Sequence, residues 1–314
     1  MTKNELRSEV ERLNYCDAIE DCMDLFEIYL AALLSIINSF PKDETPTKKD
    51  GLANVIAQMI MSRTAHLKNM AEGVQFHNSN IGSLKFLDPT IISAFTRNIF
   101  ETVAMFNLVF ISHHLEDQKL ILYNLWMMAG LNYRQRFTEI AKSPENIKKA
   151  KDEKLYLQQL EQEVKSTNLF QSLSISDQKK IQRKINEKDY KIQFENNQVN
   201  LLYWHDLTKI MGIKEHLLTH DYTRLSLYAH PSYVSVFQFG SMFSDKKEKE
   251  QALFSLNRAF PMLAVFVADF IKLFPQAIDV FNNLNVRDQV VINFQNLFYR
   301  GDEYLINSSL NLLE

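Results

Sequence analysis

Seven glycines and seven prolines are all the turn punctuation that 314 residues carry, well below the ~7% and ~5% usual for these residues. Sandwiches, barrels and doubly wound sheets need frequent tight turns, and glycine and proline supply most of them. A chain this short of both is expected to run in long helices, so the fold class that follows is all-α. With 46% of its residues hydrophobic and 23% charged, it has apolar surface enough for a sizeable core.

The charge balance argues against one partner class, because a net charge of −3 gives no bulk attraction for nucleic acid. The cysteines, Cys16 and Cys22, lie six residues apart in a helical pattern. On one continuous helix they would project in different directions, which suits neither a Cys-x-x-Cys metal clip nor a disulfide framework, and a reducing cytoplasm is the expected location. Glu5, Glu9 and Glu11 stand where a signal peptide would carry a basic region and an apolar run. Apolar stretches at 25–40, 91–111 and 259–274 contain Glu27, Arg97 with Glu101, and Pro261 with Asp269. They read as core helices, and no membrane partner is expected.

Helices are expected over about 3–40, 52–76, 88–114 and 120–140, with a loop at 41–50 around Pro46. Asp88-Pro89 is a helix start, with aspartate at the cap and proline in the first turn. Ser143-Pro144 reads as the close of the preceding helix. From 142 to 191 lysines alternate with carboxylates around a thin apolar row at Tyr156, Leu160 and Val164, the pattern of an inserted, solvated helical arm. Residues 196–199 read as a loop, 234–239 as helix rather than strand, and Ser244-Asp245 as the cap of a helix reaching about 274. The expected architecture is a multi-helix bundle, with N-terminal core helices in 1–141, a charged helical insertion at 142–191, and C-terminal helices in 192–314 completing the bundle.

Polar chemistry is densest at 221–233. On a helix Tyr222, Ser226 and His230 fall at i, i+4 and i+8 and form one stripe, which Pro231 ends and Ser232 follows. Arg97 and Glu101, four apart in an otherwise apolar helix, can pair along one face, and neither charge is affordable in a core without a partner. The expectation is a polar junction of the core formed by Arg97, Glu101, Tyr222, Ser226, His230 and Ser232, which ties the two helices together. His216 and His220 are also four apart, but two ligands do not make a metal site. Glycine-rich phosphate loops, Gly-x-Ser-x-Gly and the zincin signature are missing from the sequence. No metal and no cofactor are expected.

Arg97-Asn-Ile-Phe-Glu101, followed far downstream by Tyr222-x-x-x-Ser226-x-x-x-His230-Pro231-Ser232, resembles a family of uncharacterised all-helical bacterial proteins. That family carries an Arg-x-x-x-Glu helix and a Ser-x-x-x-His-Pro-Ser helix end. The second stretch also resembles the Arg-x(4 to 6)-His signature of the HEPN superfamily, with Arg224 and His230 as the matching residues. That resemblance implies a metal-independent endoribonuclease acting as a dimer, in which arginine stabilises phosphate charge and histidine assists proton transfer. A six-residue separation, however, puts Arg224 about 120° away from His230 around an ideal helix. Two readings therefore stand. One is a non-catalytic helical protein that works through assembly, as a homodimer or with a protein partner, in bacterial stress or antiviral defence. The other is the ribonuclease, which alone would take RNA as a partner.

Overall fold

The computed structural model describes residues 2–40, 47–80, 82–140, 142–218, 220–230 and 232–313. Most of the expected loop at 41–50, with Pro46, and the expected helix stop at Pro231 lie outside them. In chain order the helices and strands are α1 (Lys3–Tyr15), α2 (Ile19–Asn38), α3 (Lys48–Glu72), β1 (Val74–Asn78), β2 (Gly82–Phe86), α4 (Pro89–Phe106), α5 (Glu116–Arg134) and α6 (Pro144–Ser166). There follow α7 (Asn168–Ser172), α8 (Ile175–Glu187), β3 (Ile192–Glu195), β4 (Gln198–Leu201), α9 (Leu207–Ile210), α10 (Asp221–Ala229), α11 (Tyr233–Ser244), α12 (Glu248–Leu273), α13 (Ile278–Asn282) and α14 (Val286–Tyr299). Among the described residues the protein is thus an all-α, multi-helix fold with two small antiparallel hairpins.

Local chemistry sets the helix ends. The Asp88 carboxylate accepts from the backbone N–H of Thr90 (2.9 Å) and Ile91 (3.3 Å), with Pro89 as the first helical residue. Ser143 does the same for α6, its hydroxyl accepting from Asn146 N–H at 3.2 Å ahead of Pro144. Ser143-Pro144 therefore opens a helix instead of closing one, because serine at the cap and proline in the first turn satisfy or dispense with the free N–H groups of a start. Residues 234–239 are helical as expected, within α11.

Two expectations are corrected by strands. The helix expected to reach 76 stops at Glu72, where Gly73 takes a φ of 88°, and β1 then pairs with β2 in the register Val74 to Phe86. The loop expected at 196–199 is the tip of a second hairpin. Asn196 and Asn197 adopt φ of 50° and 59°, the left-handed conformation that a two-residue hairpin turn requires. Ile192, Phe194 and Val199 on that hairpin are buried.

The chain divides into two compact units, Met1–Asn107 with Thr208–Glu314, and Leu108–Leu207. In the first, α12 packs on α4, α2 and α14, and every residue from 259 to 267 is buried. By length and composition α12 is the one helix among those described that could cross a membrane, and 83% of its apolar window is buried within the protein. Helix α4 packs against α10 as well as α12, the arrangement that positions the polar cluster described below.

In the second unit α5 carries α6, and Leu160 and Val164 of the expected apolar row are buried while Tyr156 is half-buried. Asn124 donates to Glu163 (2.9 Å), and the Leu169 N–H donates to Asp117 (2.9 Å). Asp177 accepts from Lys180 (2.8 Å), Ser174 (2.7 Å) and the Val199 N–H (3.2 Å), which together hold its carboxyl down at about 2. The charged stretch 142–191 thus belongs to a unit with a small core of its own.

Candidate functional site

Arg97 is the hub of the cluster. Its Nε donates to Glu101 Oε1 at 2.9 Å, one turn along α4, and its Nη2 donates to the Tyr222 hydroxyl of α10 at 2.9 Å. The Tyr222 hydroxyl donates to the same Glu101 oxygen, also at 2.9 Å, so the three side chains close a ring of hydrogen bonds. Phe100 packs its ring 5.5 Å from that of Tyr222 and seals one side. His230, in extended backbone just past the end of α10, sets its Nε2 3.3 Å from Arg97 Nη1. A guanidinium can only donate, so Nε2 is the acceptor in this contact.

Of the six junction residues expected, four come together: Arg97, Glu101, Tyr222 and His230. Ser226 turns back to donate to the Tyr222 carbonyl (2.6 Å), and Ser232 caps α11 by accepting from the Ser235 N–H (3.1 Å). Ser235 in turn donates to the His230 carbonyl (2.9 Å), which ties the α11 cap to the cluster. The cluster sits at the edge of the first unit: the Arg97 and Glu101 side chains are 19% and 25% exposed, and His230 is exposed.

Arg224 is elsewhere. Its guanidinium lies 3.4 Å from the ring centroid of Phe254 on α12 and donates to Gln251 (3.3 Å), while Asp221 pairs with Arg258 (3.1 Å) on the same helix. The arginine beside His230 is Arg97, from a different helix. Sequence reasoning also missed Arg63 of α3, which donates to the Thr102 hydroxyl. Burial pulls its pKa down, and the Glu101 carboxylate works against that shift. With two guanidinium groups to one carboxylate, the cluster carries an excess positive charge. Among the described residues no three His, Cys, Asp or Glu side chains are grouped to hold a metal ion.

The Tyr222 phenol is pushed from 10.0 up to about 12, first by burial, then by the Glu101 carboxylate, with Arg97 opposing. Its folded value lies above its unfolded value, so the stability it contributes is complete below the unfolded pKa and is lost as pH climbs through the folded one. An ultraviolet titration of wild type minus Tyr222→Phe is expected to isolate a phenol ionising near about 12. Glu101→Gln should bring that value down. A difference curve centred on the ordinary 10.0 would mean that the ring of hydrogen bonds is not made.

Compared with known proteins, the chain matches no family model, no curated protein and no solved structure.

Proposed function

We propose that the protein works through assembly, and that the contact is the outer face of α11 set against the same face of a second copy. The observation that carries this reading is the composition of α11 against its burial. Tyr-Val-Ser-Val-Phe-Gln-Phe-Gly-Ser-Met-Phe-Ser holds no charged residue, yet only Ser235 and Met242 are buried. Tyr233 is 84% exposed, Val236 and Phe237 are each 64% exposed, and Val234, Phe239 and Phe243 are exposed too. A surface helix normally turns a polar face outward.

Taken with the usual 150–250 Å² of an aromatic side chain, these exposures amount to on the order of 500–600 Å² of apolar surface. That is at the upper end of the ~300–600 Å² of the largest apolar patch on a typical monomer, a patch that is often functional, and a standard interface takes ~800 Å² from each partner. The patch extends further, since Phe243 lines one cleft with Phe86 of β2. A charge-free face offers a foreign partner little electrostatic selection, whereas a two-fold contact only asks the patch to complement itself. The setting implied by the resemblance is bacterial stress or antiviral defence, and the cysteine spacing gives the expectation of a cytoplasmic location.

A second reading, the metal-independent ribonuclease, draws support from the exposed His230 beside the Arg97 guanidinium, three residues ahead of α11. It requires Arg97 in the part first assigned to Arg224.

One pair of preparations tests both. Phe237→Asp puts a charge on the exposed face without touching the core, and should weaken the dimer by about 2 kcal/mol or more, the usual worth of a central aromatic, or ~30-fold in Kd. Light scattering would then report a monomer of 36.7 kDa where wild type gives twice that mass. Equal masses for the two proteins would refute the assembly reading. Cleavage of RNA by wild type in the presence of chelator, lost in a folded His230→Ala variant, would carry the ribonuclease reading.

A further inference from the structure

The two cysteines meet. The helix expected to run through both ends at Tyr15, where Cys16 adopts the left-handed conformation (φ 48°, ψ 60°) with its N–H bonded to the Arg12 carbonyl at 2.9 Å. The chain then turns, and α2 restarts at Ile19. With a helix break between them, six residues no longer mean opposite faces: Cys22 on the first turn of α2 brings its Sγ to 2.9 Å from that of Cys16. Both thiols are free and buried.

The corner holding them is braced without help from sulfur. Arg12 reaches from α1 to Asp24 (2.6 Å) and Asp21 of α2, and the Asp21 carboxylate accepts from the Ala18 N–H at 3.1 Å. Asn257 of α12 donates to the Cys16 carbonyl at 3.1 Å. Two thiols thus face each other at contact distance in a braced corner.

We propose that Cys16 and Cys22 form a two-electron redox pair that closes an intramolecular disulfide when the protein meets a peroxide. In the first step one thiolate attacks a peroxide oxygen, breaking the O–O bond to give a sulfenic acid and hydroxide. In the second the other thiol attacks the sulfenic sulfur, forming the S–S bond and releasing water. The balance is two thiols and one hydrogen peroxide to one disulfide and two waters.

The surroundings select that oxidant over larger disulfides. The residues between the cysteines, Asp17 to Glu20, line a cleft of about 650 Å³ together with Glu72, Lys85, Glu248 and Lys249. Neither thiol lines that cleft and both are buried, so an oxidant has to be small enough to reach a covered sulfur, which hydrogen peroxide is and glutathione disulfide is not. The thiol–thiol contact and burial both push the Cys16 pKa up, which slows the first step. The second step gains from the pre-set contact, so a sulfenic acid at either position is captured before further oxidation.

The test uses the full chain. The folded protein is treated with hydrogen peroxide, then denatured in a maleimide reagent, and its intact mass is read. Loss of both titratable thiols with no oxygen gained and no covalent dimer, restored to two thiols by dithiothreitol, is the expected result. Cys16→Ser and Cys22→Ser each remove the resolving partner, so the remaining thiol should gain oxygen atoms or stay reduced. Wild type that keeps both thiols over a time that consumes a free cysteine peptide, or that collects oxygen adducts as its single-cysteine variants do, would overturn the pair. Should a serine variant fail to fold, the wild-type mass alone decides between these outcomes.

Discussion

Arg300→Ala is expected to cost about 3–5 kcal/mol of stability, because it leaves a carboxylate deep in the protein without its cation. Arg300 Nη2 donates to Asp269 Oδ1 at 2.9 Å, and the two side chains are 1% and 2% exposed. Asn107, just past the end of α4, donates to the other Asp269 oxygen at 2.6 Å, so this one carboxylate links α4, α12 and the end of α14. Burial raises the Asp269 pKa, with Arg300 and Asn107 pulling against that shift. The Arg300 guanidinium also lies 3.7 Å from the ring centroid of Tyr304, so the substitution loses packing as well as charge. Denaturant unfolding of Arg300→Ala, Asp269→Ala and the double variant measures the coupling. The double variant should lose less than the sum of the two singles, since removing both charges leaves neither one stranded. Strict additivity would mean that the pair does not interact.

Phe260→Ala is the second large loss, again about 3–5 kcal/mol, the range for truncating a buried phenylalanine. Phe260 is 1% exposed and sits in the stretch of α12 that is buried throughout. Its ring meets Phe26 edge-on at 5.0 Å and stacks with Tyr29 at 6.1 Å, so it is the aromatic tie between α12 and α2. Tyr29 in turn donates to Gln295 of α14 at 2.8 Å, which fixes its ring and leaves the neighbourhood little room to collapse into a cavity. Phe260→Leu keeps most of the volume and should cost less than half as much in the same unfolding experiment, in keeping with volume-conserving swaps at ~1.5 kcal/mol or below. A loss below ~1 kcal/mol for Phe260→Ala would mean that the site closes up, or that the ring is not where α12 meets α2.

The readable part of this chain lay in its local chemistry. Scarce glycine and proline announced helices, and Asp88-Pro89 marked the start of α4 because a cap carboxylate and a proline suit the free N–H groups there. Ser143-Pro144 holds the same signal, but it follows a helix closely enough to look like the end of one. Val74 with Phe76 and Leu84 with Phe86 carry the period-2 alternation of the hairpin β1–β2, but each strand is only five residues long and the first directly follows the helical pattern of α3. The break between α1 and α2 contains neither glycine nor proline, and without it Cys16 and Cys22 appeared to diverge.

The candidate site divides along the same line. Arg97 with Glu101 could be found as a spacing within one helix, whereas His230, read at i+8 from Tyr222, lies in extended backbone just past the end of α10. That Arg97 and not Arg224 stands beside His230 depends on how α10 lies across α4 and α12, which spacing along one helix does not encode. Arg63 needed the further placement of α3 against α4. The exposure of α11 was beyond pattern reading altogether, since an apolar helix in a sequence reads as a buried one.

Sedimentation equilibrium of the wild-type protein over a wide concentration range is the direct test of assembly through α11. The expected result is a mass that rises smoothly from 36.7 kDa to twice that value and levels there, as a closed two-fold contact requires. A mass fixed at 36.7 kDa at every concentration would contradict it.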